Sequence, residues 1–445
     1  MSGDKYLTLG QGEKHYFSLP EGWDEVRRDR GVEETATVPT GRMARDAVAR
    51  PAGGVSLAEI VPKAKRVAVI VDDATRPTPV AQILEVLLPY LVENGCSRDR
   101  ITLVIALGTH ARLDKEVLEA RLGLEVASGY TVVQHNAWQD DLVPVVVPGE
   151  ERPVRINPAV AAADVRIGIS SILPHPMAGY GGGPKILMPG VCDFEFIKSH
   201  HMRLTIDPLS RAGLAEGNPF QEACMRIARA IGLDFSLDCV YDREGQLVRI
   251  IGGSLEGAFA EAVDACFRIL GERFEEKVDV TITSTYPHTH GIQFSKGLTA
   301  PDVITAHTGA ILAVAPLTTP MPADFLEELA GIREKSCNKP MPYIRDIMSK
   351  GMTFVTGKTV EFNMAMYALL CRPPIRTILV SPGISERDAR MMGLEHAASL
   401  DEGLRTLEKQ YRKARVAVFP SGGLLIPITS WGGEVENRPC GGGET

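Results

Sequence analysis

The chain has 445 residues, of which 44% are hydrophobic and 23% charged, with a formal net charge of -8. That length exceeds what one hydrophobic core organises, so two domains are expected; the negative balance excludes nucleic acid or an anionic membrane as a general partner. No apolar run reaches the ~18–20 residues of a membrane span, and MSGDKYLTLGQGEKHYF has no apolar signal-peptide core, so the expectation is a cytoplasmic protein with no membrane partner.

The first forty residues alternate in places (KYLTL, KHYFSL) and read as edge strands. RVAVIV (66–71) is a β-branched run of the kind buried on both faces of a parallel sheet. After DDATRPTP, the segment TPVAQILEVLLPYLVENG places Val80, Ile83, Leu84, Leu87, Leu88 and Leu91 at helical spacing, and Asn94-Gly95 ends it. ITLVIALG (101–108) is the next strand, which completes a right-handed βαβ unit. YTVVQHN reads as a strand, NPAVAAAD as a short helix, and VRIGISSIL (165–173) as a further strand. These strands deliver Asp73 and Arg76, His110, and His175 to their carboxyl ends, where ligands bind in open parallel sheets.

A glycine-rich turn follows, PHPMAGYGGGPKILMPGV, and FEFIKSHH returns toward it as a helix or irregular segment. Free N–H groups in such a turn suit a phosphate. Lys185 could contact a phosphate or act as an activated amine, and the flanking histidines could be bases or metal ligands. NPFQEACMRIARAIGLDF is an amphipathic helix with Phe220, Cys224, Ile227, Ala228 and Ile231 on one stripe. Two strand-like pieces and the long helix SLEGAFAEAVDACFRILGERF close a first domain, 1–274. The second, 275–445, has strands at VDVTITST, AILAVAPL, TFVTG, RTILVSPG and RVAVFPSGG, alternating with helices. Its loop YPHTHGIQFSKG could point His288, His290, Gln293 and Lys296 into a cleft between the domains; both histidines could equally be solvated. The tail NRPCGGGET reads as disordered. The fold class is therefore α/β, with two domains of largely parallel sheet and the active site in the cleft.

The eight cysteines form no C-x-x-C pair, which argues against a disulfide framework or zinc ribbon. Cys266 reads as a buried small hydrophobe, whereas Cys192 directly follows the glycine turn. Pro184 and Ile186 around Lys185 break a Walker A pattern, no G-x-G-x-x-G opens a helix after Val71 or Gly108, and H-E-x-x-H is absent.

Asp73-x-Thr75-Arg76-Pro77, Gly108-Thr109-His110, the P-H-x-x-A-G-x-x-G-G-x-K-x-x-x-P-G run from Pro174 to Gly190, and Gln293-x-x-Lys296 together resemble the nickel-dependent lactate racemase family. Asn218-Pro219 and GLDF (232–235) extend the resemblance over most of the chain, in order. It implies a nickel-pincer nucleotide, a nicotinate-derived mononucleotide tethered covalently to Lys185 and absent from protein made without the cofactor-synthesis enzymes that would be its partners. By the same resemblance His201 is the metal ligand, His110 and His175 are the acid/base pair, and Arg76, Gln293 and Lys296 bind substrate. Asp73, Thr75, Gly181, Gly182 and Gly183 fall at cofactor-binding positions.

The chemistry of such residues is consistent with these roles. Moving the C2 hydrogen as hydride avoids a carbanion, two flanking bases serve two enantiomers, and an arginine clasps a carboxylate bidentately. The family's tyrosine before the glutamine is replaced by Ile292, which implies a more apolar pocket and a 2-hydroxy acid substrate other than lactate. The alternatives are a sugar-acid epimerase or redox enzyme with the same cofactor, or a non-catalytic nickel-cofactor-binding protein. A homo-oligomer is compatible with the sequence.

Overall fold

The computed structural model describes residues 5–429 and 431, except 11, 27, 28 and 36. The expected disorder of NRPCGGGET falls outside the described residues. The chain forms two compact units. One comprises Glu33–Asp242 with Gln246–Phe267; the other comprises the N-terminal residues to Val32, Arg243–Gly245, and the chain from Arg268. The N-terminal strands belong to the same unit as the chain from Arg268. Trp23–Glu25 pairs in parallel with Ala414–Val416 as the edge of that unit's sheet, and Lys5–Gly10 forms a hairpin with Glu13–Phe17.

The Glu33–Asp242 unit is built on six strands in the order Leu247–Gly253, Phe235–Tyr241, Val165–Ile172, Val67–Asp72, Ile101–Ala106 and Thr131–Gln134. All neighbours are parallel except the first pair. Val67–Asp72 is buried along its whole length, as a β-branched run covered on both faces must be. The helix Val80–Glu93 buries Val80, Ile83, Leu84, Leu87, Leu88 and Leu91, the stripe expected from spacing. It stops where Asn94 caps Tyr90 through its side chain (2.8 Å) and Gly95 takes a positive φ. Asp72 pairs with Ala106 and Ile169 with Val71, so the loops leaving these three neighbouring strands emerge side by side on one rim.

The other unit carries six parallel strands in the order Glu395–Ala397, Arg376–Val380, Thr305–Val314, Val278–Ser284, Ala414–Phe419 and Trp23–Glu25. TFVTG is not a strand. The Asn363 side chain accepts from the Val355 N–H (2.9 Å) and donates to the carbonyls of Val355 and Thr359, so this segment is bonded to an amide rather than to a sheet. The helix Pro340–Ser349 and the short strand Glu395–Ala397 were not evident from the sequence pattern.

Candidate active site

The loop after Val67–Asp72 and the turn after Ile101–Ala106 meet through Asp73 and His110. His110 Nδ1 is hydrogen-bonded to Asp73 Oδ2, while Asp73 Oδ1 accepts from the Thr75 N–H (2.9 Å) and hydroxyl (2.5 Å). Burial alone would raise the Asp73 carboxyl. The hydrogen bond and charge of His110, with Arg76 and Thr75, outweigh it and hold the group well below the usual carboxylate range. An ionised carboxylate accepts only, so His110 Nδ1 carries a proton, and in the neutral ring the lone pair is on Nε2. Asp73, bonded by Thr75, orients His110. The turn is anchored from the glycine segment, because Gly108 donates to the carbonyl of Gly190 (2.9 Å) and His110 N–H to Leu107 (2.8 Å).

His175 ends a two-residue strand that pairs with Gly179–Tyr180. Its Nδ1 accepts from the N–H groups of Met177 (3.3 Å) and Ala178 (3.2 Å), so the neutral ring carries its proton on Nε2. As neutral rings the two histidines are therefore opposite tautomers, with the lone pair on Nε2 in His110 and on Nδ1 in His175.

Two N–H groups of the glycine segment are bonded within the chain. Gly181 N–H donates to the Leu173 carbonyl (2.7 Å) and Gly183 N–H to the Ser170 hydroxyl (2.9 Å). Gly182 and Gly183 are required for packing. A Cβ on Gly182 would come within 2.5 Å of the Ser171 carbonyl oxygen and one on Gly183 within 2.3 Å of the Phe259 ring, with φ of +69° and +50° respectively, values that L side chains adopt only with strain. Below them Ser170 donates to Asp238 (2.7 Å), a fully buried carboxyl pushed up to about 6 by burial despite its serine partners.

Lys185, in the short helix Gly183–Ile186, extends its amine over the Phe220 ring, 4.7 Å from the centroid. Burial, reinforced by the charge of Arg76 and opposed by Cys224, pushes the amine down to about 8. Phe220 is the hub of the cluster. His200 and His201 meet it edge-on at 4.5 and 4.9 Å, and His175 lies 6.4 Å away, centroid to centroid. Asn218 fixes this ring by capping its helix, accepting from the N–H groups of Phe220 and Gln221, while donating to the Met177 carbonyl (2.9 Å) beside His175.

The histidines lie on the helix Phe194–Thr205, capped by Asp193. His201 Nδ1 donates to the Ile197 carbonyl (2.9 Å), which leaves the lone pair on Nε2, the tautomer of a metal ligand. His200 is buried with Nδ1 lacking a partner and Nε2 3.9 Å from Cys224 Sγ. Burial, with His201, Lys185 and nearby arginines, holds it well below the ordinary histidine value, so its ring is neutral. Cys192 is no reactive thiol, since it is buried, bonded to Leu187 and pushed well up by burial. Ile292, Gln293 and Lys296 lie in the other unit on the segment Gly291–Leu298, where the Gln293 amide donates to Glu361.

Phe220 was legible only as one member of an apolar stripe; the Asn-Pro pair before it was the available signal. Arg121, which grips the Asp72–Thr78 loop, carries no signal in KEVLEARL. Among the described residues no helix is long and apolar enough to cross a membrane.

Residues 13–213 match the family model described as the lactate racemase N-terminal domain. The chain is 27% identical to a lactate racemase from Thermoanaerobacterium thermosaccharolyticum, over 92% of this chain and 96% of the relative. It is 24% identical to one from Lactiplantibacillus plantarum, over 84% and 88%. Its fold matches the lactate racemase apoprotein of the first organism with a TM-score of 0.80 at 22% identity, covering 96% of this chain and all of that one. A crystal structure of a Thermotoga maritima protein matches with a TM-score of 0.64 at 18% identity, over 90% and 100%. With its motifs in the family's order, the chain carries a lactate racemase N-terminal domain over residues 13–213 and is similar along nearly its whole length to lactate racemases, which are isomerases.

Proposed function

We propose that this chain racemises or epimerises a 2-hydroxy acid other than lactate, using a nickel-pincer nucleotide attached to Lys185 and ligated by His201. The observation that carries the reading is the gathering of Asp73–His110, Arg76, Lys185 and His201 within one unit, the last two on the Phe220 ring. The residues fit the group. An amine near 8 forms a covalent link far more readily than an ordinary lysine, and His201 holds its Nδ1 proton on the Ile197 carbonyl, the tautomer of a metal ligand.

When bound, the group supplies a hydride acceptor for the substrate's C2–H. The chain's own residues do the rest. Arg76 clasps the substrate carboxylate. His110, oriented by ionised Asp73, takes the hydroxyl proton on Nε2 as the carbonyl forms and returns it on reversal. His175 donates from Nε2 toward the same oxygen from its own loop. Gln293 and Lys296 are proposed as further substrate contacts, and Ile292 as the side chain that excludes lactate as the preferred substrate. A sugar acid is the second reading, because the Gln293–Glu361 pair offers acceptor oxygens to a hydroxylated chain.

The test is intact-mass and metal analysis of protein co-produced with the cofactor-synthesis enzymes, then chiral chromatography over a panel of 2-hydroxy acids. An adduct on Lys185, stoichiometric nickel and interconversion of at least one pair are expected. Protein with neither adduct nor nickel would overturn the cofactor assignment, and a loaded protein inert on every acid would overturn the reaction.

A further inference from the structure

The loop that carries Asp73, Thr75 and Arg76 is closed on itself by one side chain from outside it. Arg121, on the helix Lys115–Leu122, donates from Nε to the Asp72 carbonyl (3.2 Å) and from Nη1 to the carbonyls of Arg76 (3.0 Å) and Thr78 (2.8 Å). Its Nη2 donates to the Asp72 carboxylate. The Asp72 carboxylate also accepts from the Thr78 hydroxyl (2.6 Å), which is bonded to Ser171 (2.5 Å) and through it to Tyr241 (2.8 Å). Four donors of one planar, nearly buried guanidinium thus end on residues 72, 76 and 78, and the loop between them has no regular secondary structure of its own.

We propose that Arg121 is a positioning residue of the reaction: its guanidinium sets both the Asp73 carboxylate that orients His110 and the backbone from which Arg76 reaches the substrate. The inference rests on the function proposed above for Asp73, His110 and Arg76. A rigid fork is what the arrangement needs. Lysine is a single point donor on a flexible stem and cannot bridge three carbonyls and a carboxylate, and a displacement of about 1 Å in a reacting group costs roughly 10²-fold in rate. The substrate-binding Arg76 and the Asp73 that orients the proton-transferring His110 hang from the same loop, so its release raises KM and lowers kcat together. A variant that is merely less stable has fewer active molecules and an unchanged KM.

The test compares Arg121→Ala, Arg121→Gln and Arg121→Lys with the parent chain, each loaded with cofactor and normalised to bound nickel. All three should raise KM for the 2-hydroxy acid and lower kcat, with kcat/KM down roughly 10²-fold. Lysine should restore little. Guanidinium ion at tens of millimolar should restore activity to Arg121→Ala but not to Arg121→Lys; a hollow of about 370 Å³ lined by Ala74, Thr78, Pro79, Val117, Ala120 and Arg121 gives it access. Hydrogen exchange on the unloaded protein should show the amides of residues 73–76 and 78 exchanging at least tenfold faster in Arg121→Gln. Unchanged KM with unchanged exchange would overturn the clamp, as would full activity of Arg121→Lys. If the parent chain acts on no 2-hydroxy acid, the functional reading fails separately, and the exchange experiment still decides whether Arg121 holds the loop.

Discussion

The Lys185 amine supplies the sharpest quantitative prediction. Its fall from the ordinary 10.5 to about 8 follows from burial and from Arg76 nearby, and the Phe220 face replaces only part of the lost hydration. At pH 7 an amine with that value is neutral in about 9% of molecules, against about 0.03% for an exposed lysine, roughly a 300-fold gain in nucleophilic form. Pulse acetylation across pH 6–11, read peptide by peptide by mass spectrometry, should give Lys185 a midpoint near 8. Lys115, whose side chain is 84% exposed, serves as the internal reference. The same shift has a stability consequence. The folded value lies below the unfolded one, so between pH 8 and 10.5 the unfolded chain holds the extra proton and stability rises with pH. Below pH 8 the cost of charging the buried amine is fully present, up to about 3 kcal/mol. Lys185→Met should therefore be more stable than the parent at pH 7 and lose that advantage by pH 10.5. A Lys185 midpoint that tracks Lys115, or a Met variant no more stable at pH 7, would refute the reasoning.

Two further outcomes are expected. The opposite tautomers of His110 and His175 predict unequal responses to glutamine, whose amide can donate but cannot take a proton. His110→Gln should lose racemisation about as fully as His110→Ala, by roughly 10²–10⁴-fold, whereas His175→Gln should retain at least tenfold more activity than His175→Ala; equal losses at the two positions would mean that His175 also acts as a base. In the loaded protein His201→Ala should lose nickel by metal analysis while His200→Ala retains it, and the reverse order would move the ligand assignment to His200.

Much of the site was legible because parallel topology is. Alternating buried strands and an amphipathic helix require the loops after Val71, Ala106 and Ile172 to leave one edge of one sheet, so Asp73, Arg76, His110 and His175 could be placed on a common rim from spacing alone. The position of Lys185 after a dense glycine run and of His201 on the following helix was equally local information. What the sequence could not determine depends on contacts between distant segments. Whether the N–H groups of Gly181 and Gly183 remained available for a ligand depended on Leu173 and Ser170 reaching them first. The tautomer of each histidine depended on which partner met Nδ1: a carboxylate for His110, backbone N–H groups for His175 and a carbonyl for His201. Phe220 became a hub, and Arg121 a clamp, only when separate helices packed against the rim. Local periodicity determines which residues face a core or end a strand. Tertiary packing decides which polar atoms are already bonded when a ligand arrives, because that choice is a competition among groups far apart in the chain.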